Sequence, residues 1–170
     1  EPTEPSMVQA QDSDTGTEEA GEGTDTPEGG SLSEGPETAL QTVSSLEELL
    51  QAIEQAEAGA TIGIGCEIVC PDGTVLGDTY KRVTLQRTAP EGHISTYSPD
   101  GTGNVIIQAI DFDGGNVEAT TPFVQASIST AYSECHFSDC MAGAIEANNG
   151  DQNFGYCVFE RNTAQYGAHI

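Results

Sequence analysis

Three stretches decide the fold once they are laid under one another: IDFDGG (110–115), CHFSDC (135–140) and CVFERN (157–162). Ile110, Cys135 and Cys157 then share one column, and Phe112, Phe137 and Phe159 share the next inward one, at spacings of 25 and 22 residues. Val124, Ile145 and Ile170 form a second column, spaced by 21 and 25 residues. Two columns with similar, slightly variable periods describe a coil whose turns accept small insertions, because periods of roughly 20 to 50 residues belong to solenoids, propellers and arrays.

The material around these columns is strand-like. From residue 60 the chain reads as ATIGIGCEIVC, KRVTLQR, NVIIQAIDF, PFVQASI, GAIEA, GYCVF and GAHI. Turn chemistry separates them, as at Pro71-Asp72-Gly73, Pro99-Asp100-Gly101, Asp113-Gly114-Gly115-Asn116 and Asn148-Asn149-Gly150-Asp151. No second long helical pattern occurs, which excludes βαβ architectures. A coil of this period made of short strands is a parallel β-helix, in which like residues stack on like at about 4.8 Å per rung, so that roughly five coils stand about 24 Å tall.

Upstream, SSLEELLQAIEQAEAG places Leu46, Leu49, Leu50, Ile53 and Ala56 on one helical stripe. Ser45 and Glu48 fit a capping box and Gly59 a left-handed stop, predicting a helix over 45–58. Such a helix is marginal alone, and an open coil end is a row of unpaired backbone groups, so the helix is expected to cap the stack. The sequence stops at Ile170 inside a repeat. The expectation is that the remainder of a longer chain follows, or that another chain covers the last coil.

Residues 1–43 carry eleven acidic side chains, no Lys or Arg and no aromatic. That segment cannot bury enough apolar surface to offset its ordering entropy and reads as a disordered acidic spacer. Over the whole chain, 28 acidic against 4 basic residues give a net charge of −24. Such a field repels phosphate backbones and anionic headgroups, so nucleic acid and membrane-surface partners are not expected. No run of eighteen apolar residues exists, so no membrane insertion by this segment is expected, and the N-terminus lacks the features of a secretory leader.

FERNTAQYGAHI (159–170) resembles the FxxN…GGA[ILV] repeat of the polymorphic outer-membrane proteins and related adhesin-like right-handed β-helix surface proteins. Phe159, Asn162, Ala164, Gly167 and Ile170 match, while Ala168 and His169 stand where the family has Gly and Ala. FSDCMAGAI keeps Phe137, Gly143, Ala144 and Ile145, with Cys140 in the Asn column. SLEELLQAIEQAEAGATI is similar to the capping helix and first strand of many secreted β-helix proteins. The resemblance implies an all-β, right-handed parallel β-helix over 44–170 in a bacterial secreted or cell-surface protein. In structural terms, Phe159 would stack in the core, Asn162 would bond backbone amides of a neighbouring turn, and Gly167 would permit a tight corner.

Five cysteines, Cys66, Cys70, Cys135, Cys140 and Cys157, are present. In-register neighbours on parallel strands make poor disulfide geometry, so Cys135 and Cys157 read as a buried thiol ladder. Neither Cys-x-x-Cys nor paired His spacing suggests a structural metal. Alternation turns Asp111 outward beside His136, and Asp113, Ser138 and Glu160 outward in a further column, with Glu146 on another strand. These six are the candidate ligand-binding residues; the stacked carboxylates could also bind calcium or do acid/base work. No catalytic residue and no cofactor is otherwise indicated. Lys81, Arg82 and Arg87 crowd into one early strand, which reads as remote from the Asp111–Glu160 columns, so the basic clamps of a polysaccharide lyase or glycoside hydrolase are missing there. The sequence therefore points to an adhesin-like scaffold presenting polar faces to a glycan or host surface protein. A pectin-degrading β-helix enzyme is the alternative.

Overall fold

The structure is a computed structural model that describes residues 40–163. The expectations for residues 1–39, Gly167 and Ile170 lie outside the described residues.

The helix Leu46–Gln55 (α1) starts where the capping chemistry placed it. The side chain of Ser45 accepts the Glu48 N–H at 3.2 Å. Glu48 returns the bond one residue earlier than a capping box requires, accepting from the Ser44 N–H at 2.8 Å and the Ser44 hydroxyl at 2.9 Å. The helix is shorter than 45–58. Ala56 leaves it with ψ 148°, and Gly59 reaches its left-handed φ of 83° only later, in the loop that turns the chain into the coil. Near this end the Lys81 ammonium donates to the Glu54 carbonyl at 2.8 Å, supplying a partner that the last turn lacks. Leu49, Ala52 and Ile53 are buried, and α1 packs on the strands Gln41–Val43 (β1), Thr61–Ile64 (β2) and Glu67–Pro71 (β3).

β1 corrects the boundary of the spacer. Gln41–Val43 pairs in parallel with β2, and Val43 is 1% exposed in the core. A single valine in a Thr-rich acidic context is too weak a signal for a strand without its partner in view.

Each coil visits three parallel sheets in turn. β2, β3 and Val75–Leu76 (β4) make the first. Val83–Arg87 (β5), His93–Tyr97 (β6) and Asn104–Gln108 (β7) make the second. Ile110–Asp113 (β8), Val124–Ala126 (β9) and Ser129–Ser133 (β10) make the third. His136–Ser138 (β11), Ile145–Ala147 (β12) and Gln152–Gly155 (β13) make the fourth, and Val158–Glu160 (β14) begins another. The first sheet therefore runs β1-β2-β5-β8-β11-β14, the second β12-β9-β6-β3 and the third β13-β10-β7-β4. The chain is a parallel β-helix.

Both predicted columns are present where they are described. Phe112 lies opposite Phe137, and Phe137 opposite Phe159, below which the file continues through Leu85 and Ile62. The rings stack at 4.5 and 5.0 Å between centroids with interplanar angles of 2° and 3°. Ile68, Ile94, Val124 and Ile145 form the file of the second sheet, and Leu76, Ile107, Tyr132 and Phe154 that of the third. The files meet along the axis, where Phe112 packs edge-on against Phe123 and Phe137 against Tyr132.

The corners show what hydropathy could not. Ala109, Glu134 and Tyr156, each just ahead of a first-sheet strand, adopt φ of 52°, 55° and 55°. Left-handed backbone costs a non-glycine residue about 1–2 kcal/mol. Rung-to-rung bonds hold it here: the Ala109 N–H donates to the Ser133 carbonyl at 2.9 Å, and the Glu134 N–H to the Gly155 carbonyl at 2.7 Å.

Candidate functional site

The outward side of the first sheet gathers most of the predicted polar residues. One file runs Thr61, Thr84, Asp111, His136 and Val158; the other runs Gly63, Gln86, Asp113, Ser138 and Glu160. Asp111 and His136 are thus neighbours on adjoining rungs, as alternation required. Glu146 stands apart, on the second sheet, where it accepts from the Gln125 side chain at 3.1 Å.

The arginines are not remote from these files. The Arg82 guanidinium pairs with Asp111 and donates to the Glu134 carbonyl at 2.7 Å, reaching up the stack from the corner ahead of β5. Arg161 donates through Nε and Nη2 to both oxygens of Asp139 at 2.8 Å, and through Nη1 to Glu160 at 2.6 Å. Asp113 accepts from the Gln86 amide and from the Gly115 N–H, both at 2.8 Å. His136 Nε2, shielded from solvent, lies 3.3 Å from Glu160 Oε1; the approach is off the hydrogen-bond direction, so the contact is an ion-pair distance only. The expectation that Lys81, Arg82 and Arg87 stand away from the acidic columns is overturned for Arg82 because, in a coil, a separation of one turn in sequence is a single rung in space.

These contacts fix the electrostatics. Hydrogen bonds from Arg161 hold the Asp139 carboxyl below the usual aspartate range, and Asp139, with Glu160, raises Arg161 in turn. Since the folded-state value of Asp139 is depressed, its contribution is complete above the unfolded value of about 3.9 and disappears as pH falls through the folded value. The expected result is that Asp139→Asn has a lower unfolding midpoint than wild type at neutral pH. The difference closes in strong acid, which urea titrations at several pH values would read out.

All five cysteines are free thiols. Burial pushes Cys70, Cys135 and Cys140 up to about 12, so they stay protonated and unreactive at neutral pH. Cys135 lies in the rung beneath Cys157, its carbonyl accepting the Val158 N–H at 2.9 Å. Asn162 behaves as its motif implies: its side chain accepts from the Cys140 N–H at 3.1 Å and donates to the Phe137 carbonyl at 2.9 Å, tying two rungs together.

Sequence reasoning missed Arg82, Gln86, Asp139 and Arg161 as members of this face. The signal existed. Extending the column alignment downward places KRVTLQR beneath AIDFDG, with Val83 under Ile110, which sets Arg82 on the same edge as Glu134 and Tyr156. Two tyrosines stand free on that edge, Tyr80 at 96% and Tyr156 at 92% exposed.

Chemically, the face is a ladder of hydrogen-bonding groups in fixed positions. Most of its carboxylates already have a cation or an amide in place. A separate groove of about 280 Å³ lies beside α1, between Leu50, Ile53 and Val75. Among the described residues no three His, Cys, Asp or Glu side chains converge in a way that would hold a metal ion, and no helix is long and apolar enough to cross a membrane. The chain matches no protein-family model, no curated protein and no solved structure.

Proposed function

We propose that this chain is a helix-capped β-helix of a bacterial secreted or surface-displayed protein, and that its first sheet binds an extended glycan in the manner of an adhesin-like scaffold. The observation that carries the reading is the pairing of a rigid polar ladder with two exposed tyrosines along one edge. The rungs repeat at about 4.8 Å, comparable to the length of one sugar residue in an extended polysaccharide. The ladder therefore meets successive sugars at a matching interval, with a different outward side chain on each rung. Tyrosine rings present apolar faces on which a sugar ring can lie while the hydroxyl stays wet. The resemblance of FERNTAQYGAHI to surface β-helix repeats and the rung-tying role of Asn162 support the same setting.

Binding of this kind rests on shape and many weak contacts, so rigidity matters more than any one residue. On a glycan array the intact chain is expected to retain a polysaccharide, with about tenfold weaker binding in Tyr156→Ala and Asp113→Asn, a loss of about 1.4 kcal/mol each. Incubation with uronate polysaccharides, with and without calcium, supplies the opposing result. Release of unsaturated or reducing ends that vanished in Asp111→Asn or Asp113→Asn would make the face a lyase or hydrolase site instead.

A further inference from the structure

Arg87 points the opposite way from Arg82 and Arg161. It ends β5 at the inward position in register with Val43 and Ile64, and it is 1% exposed. None of its three guanidinium nitrogens finds an acceptor among the described residues. The Phe123 ring lies against it, 5.0 Å from Cζ to the centroid.

A guanidinium keeps its proton under all ordinary conditions, and a charge removed from water needs a counter-charge or a full set of hydrogen bonds. One aromatic face offsets only part of that cost. Asp113, on the adjoining rung, faces the far side of the wall and is committed outward to Gln86 and Gly115. Cys140, the ionisable group that shares the interior field with Arg87, is a thiol whose S–H donates to the Ser138 carbonyl at 3.3 Å. In the next rung the position that follows Asp113 is Gly114, which adds no side chain beside the guanidinium.

We propose that Arg87, backed by Phe123, is an internal anion site that takes one small monovalent inorganic ion of halide size. Size follows from burial. A guanidinium buried to 1% exposure and packed on Phe123 leaves room for a monatomic anion far more readily than for phosphate or sulfate. The site lies inside the wall and is independent of glycan binding on the outer face. Its consequence is structural: occupancy ties the stability of the coil to halide concentration by mass action.

The test is thermal unfolding of the intact chain at constant ionic strength, with sodium gluconate exchanged stepwise for sodium bromide. Wild type is expected to gain about 5 °C between no halide and saturation. Arg87→Met, which removes the charge and keeps the bulk, is expected to fold and to show no bromide response. Anomalous diffraction from bromide-soaked wild-type crystals gives a second reading that needs no variant, with a peak expected beside the guanidinium. A wild-type midpoint indifferent to bromide, or an equal response in Arg87→Met, would overturn the proposal. So would thiolate absorbance at neutral pH that Cys140→Ala abolishes, because it would make Cys140 the counter-charge.

Discussion

Phe137→Ala is expected to lower the stability of the coil by about 3–5 kcal/mol, as truncation of a fully buried aromatic does when its surroundings cannot collapse. Phe137 is 0% exposed, stacked between Phe112 and Phe159 and met edge-on by Tyr132. Collapse is prevented because the rungs above and below are held apart by backbone hydrogen bonds, so the void cannot close along the axis. Each stacked or edge-on pair adds about 0.5–1.5 kcal/mol beyond its buried area, which pushes the loss toward the upper part of the range. A loss of that size is a large share of the whole stability of an ordinary domain. Urea unfolding followed by far-ultraviolet circular dichroism measures it, and a loss under about 1 kcal/mol would mean that the ring is not in the core file.

Gly114→Ala is the second large effect. A methyl group there would run into the Asp139 carbonyl and come within 2.6 Å of the Cys140 Cα, all backbone atoms of the next rung. Flexible side chains can turn aside from such a contact, whereas a backbone fixed by its ladder cannot. The cost is about 3 kcal/mol, the upper end of ordinary overpacking. Gly155→Ala provides the internal comparison, since the nearest atom to its new methyl group is the Tyr132 carbonyl oxygen at 3.8 Å. It is expected to be neutral or slightly stabilising. Equal midpoints for the two variants would show that the rungs do not approach each other at Gly114.

Much of the fold was legible because a solenoid writes its core into sequence at a repeating interval. Phe112, Phe137 and Phe159 are the same residue type in the same relative position, and aromatic stacking rewards that identity. The N-cap of α1 was legible for a local reason: Ser45 and Glu48 act within one helical turn. The far end of α1 was not, because Ala56 belongs to the apolar stripe by type and yet leaves the helix. The corner residues Ala109, Glu134 and Tyr156 carry no turn signature at all; the left-handed backbone of Ala109 and Glu134 is held by bonding to the rung above.

The candidate face was legible in half. Period-two alternation turned Asp111, His136, Asp113, Ser138 and Glu160 outward together, since one strand's pleat fixes the side for every residue stacked on it. Their partners were not found, because Arg82 and Arg161 sit at corners, where alternation ends and long side chains choose a rung. Arg87 follows Val83 and Leu85 at period two in KRVTLQR, and its register with Ile64 puts it inward with them.

One spectrum tests the stacked coil most directly. The chain contains five phenylalanines, so selective labelling of their rings leaves few signals to assign. A nuclear Overhauser experiment on that sample is predicted to connect Phe112 with Phe137 and Phe137 with Phe159, at 4.5 and 5.0 Å, with Phe112 also touching Phe123 at 5.3 Å. Phe112 and Phe159 are predicted to show no direct contact, being two rungs apart. Cross-peaks that linked Phe112 to Phe159 while leaving Phe137 outside the file would contradict the β-helix and everything built on its outer face.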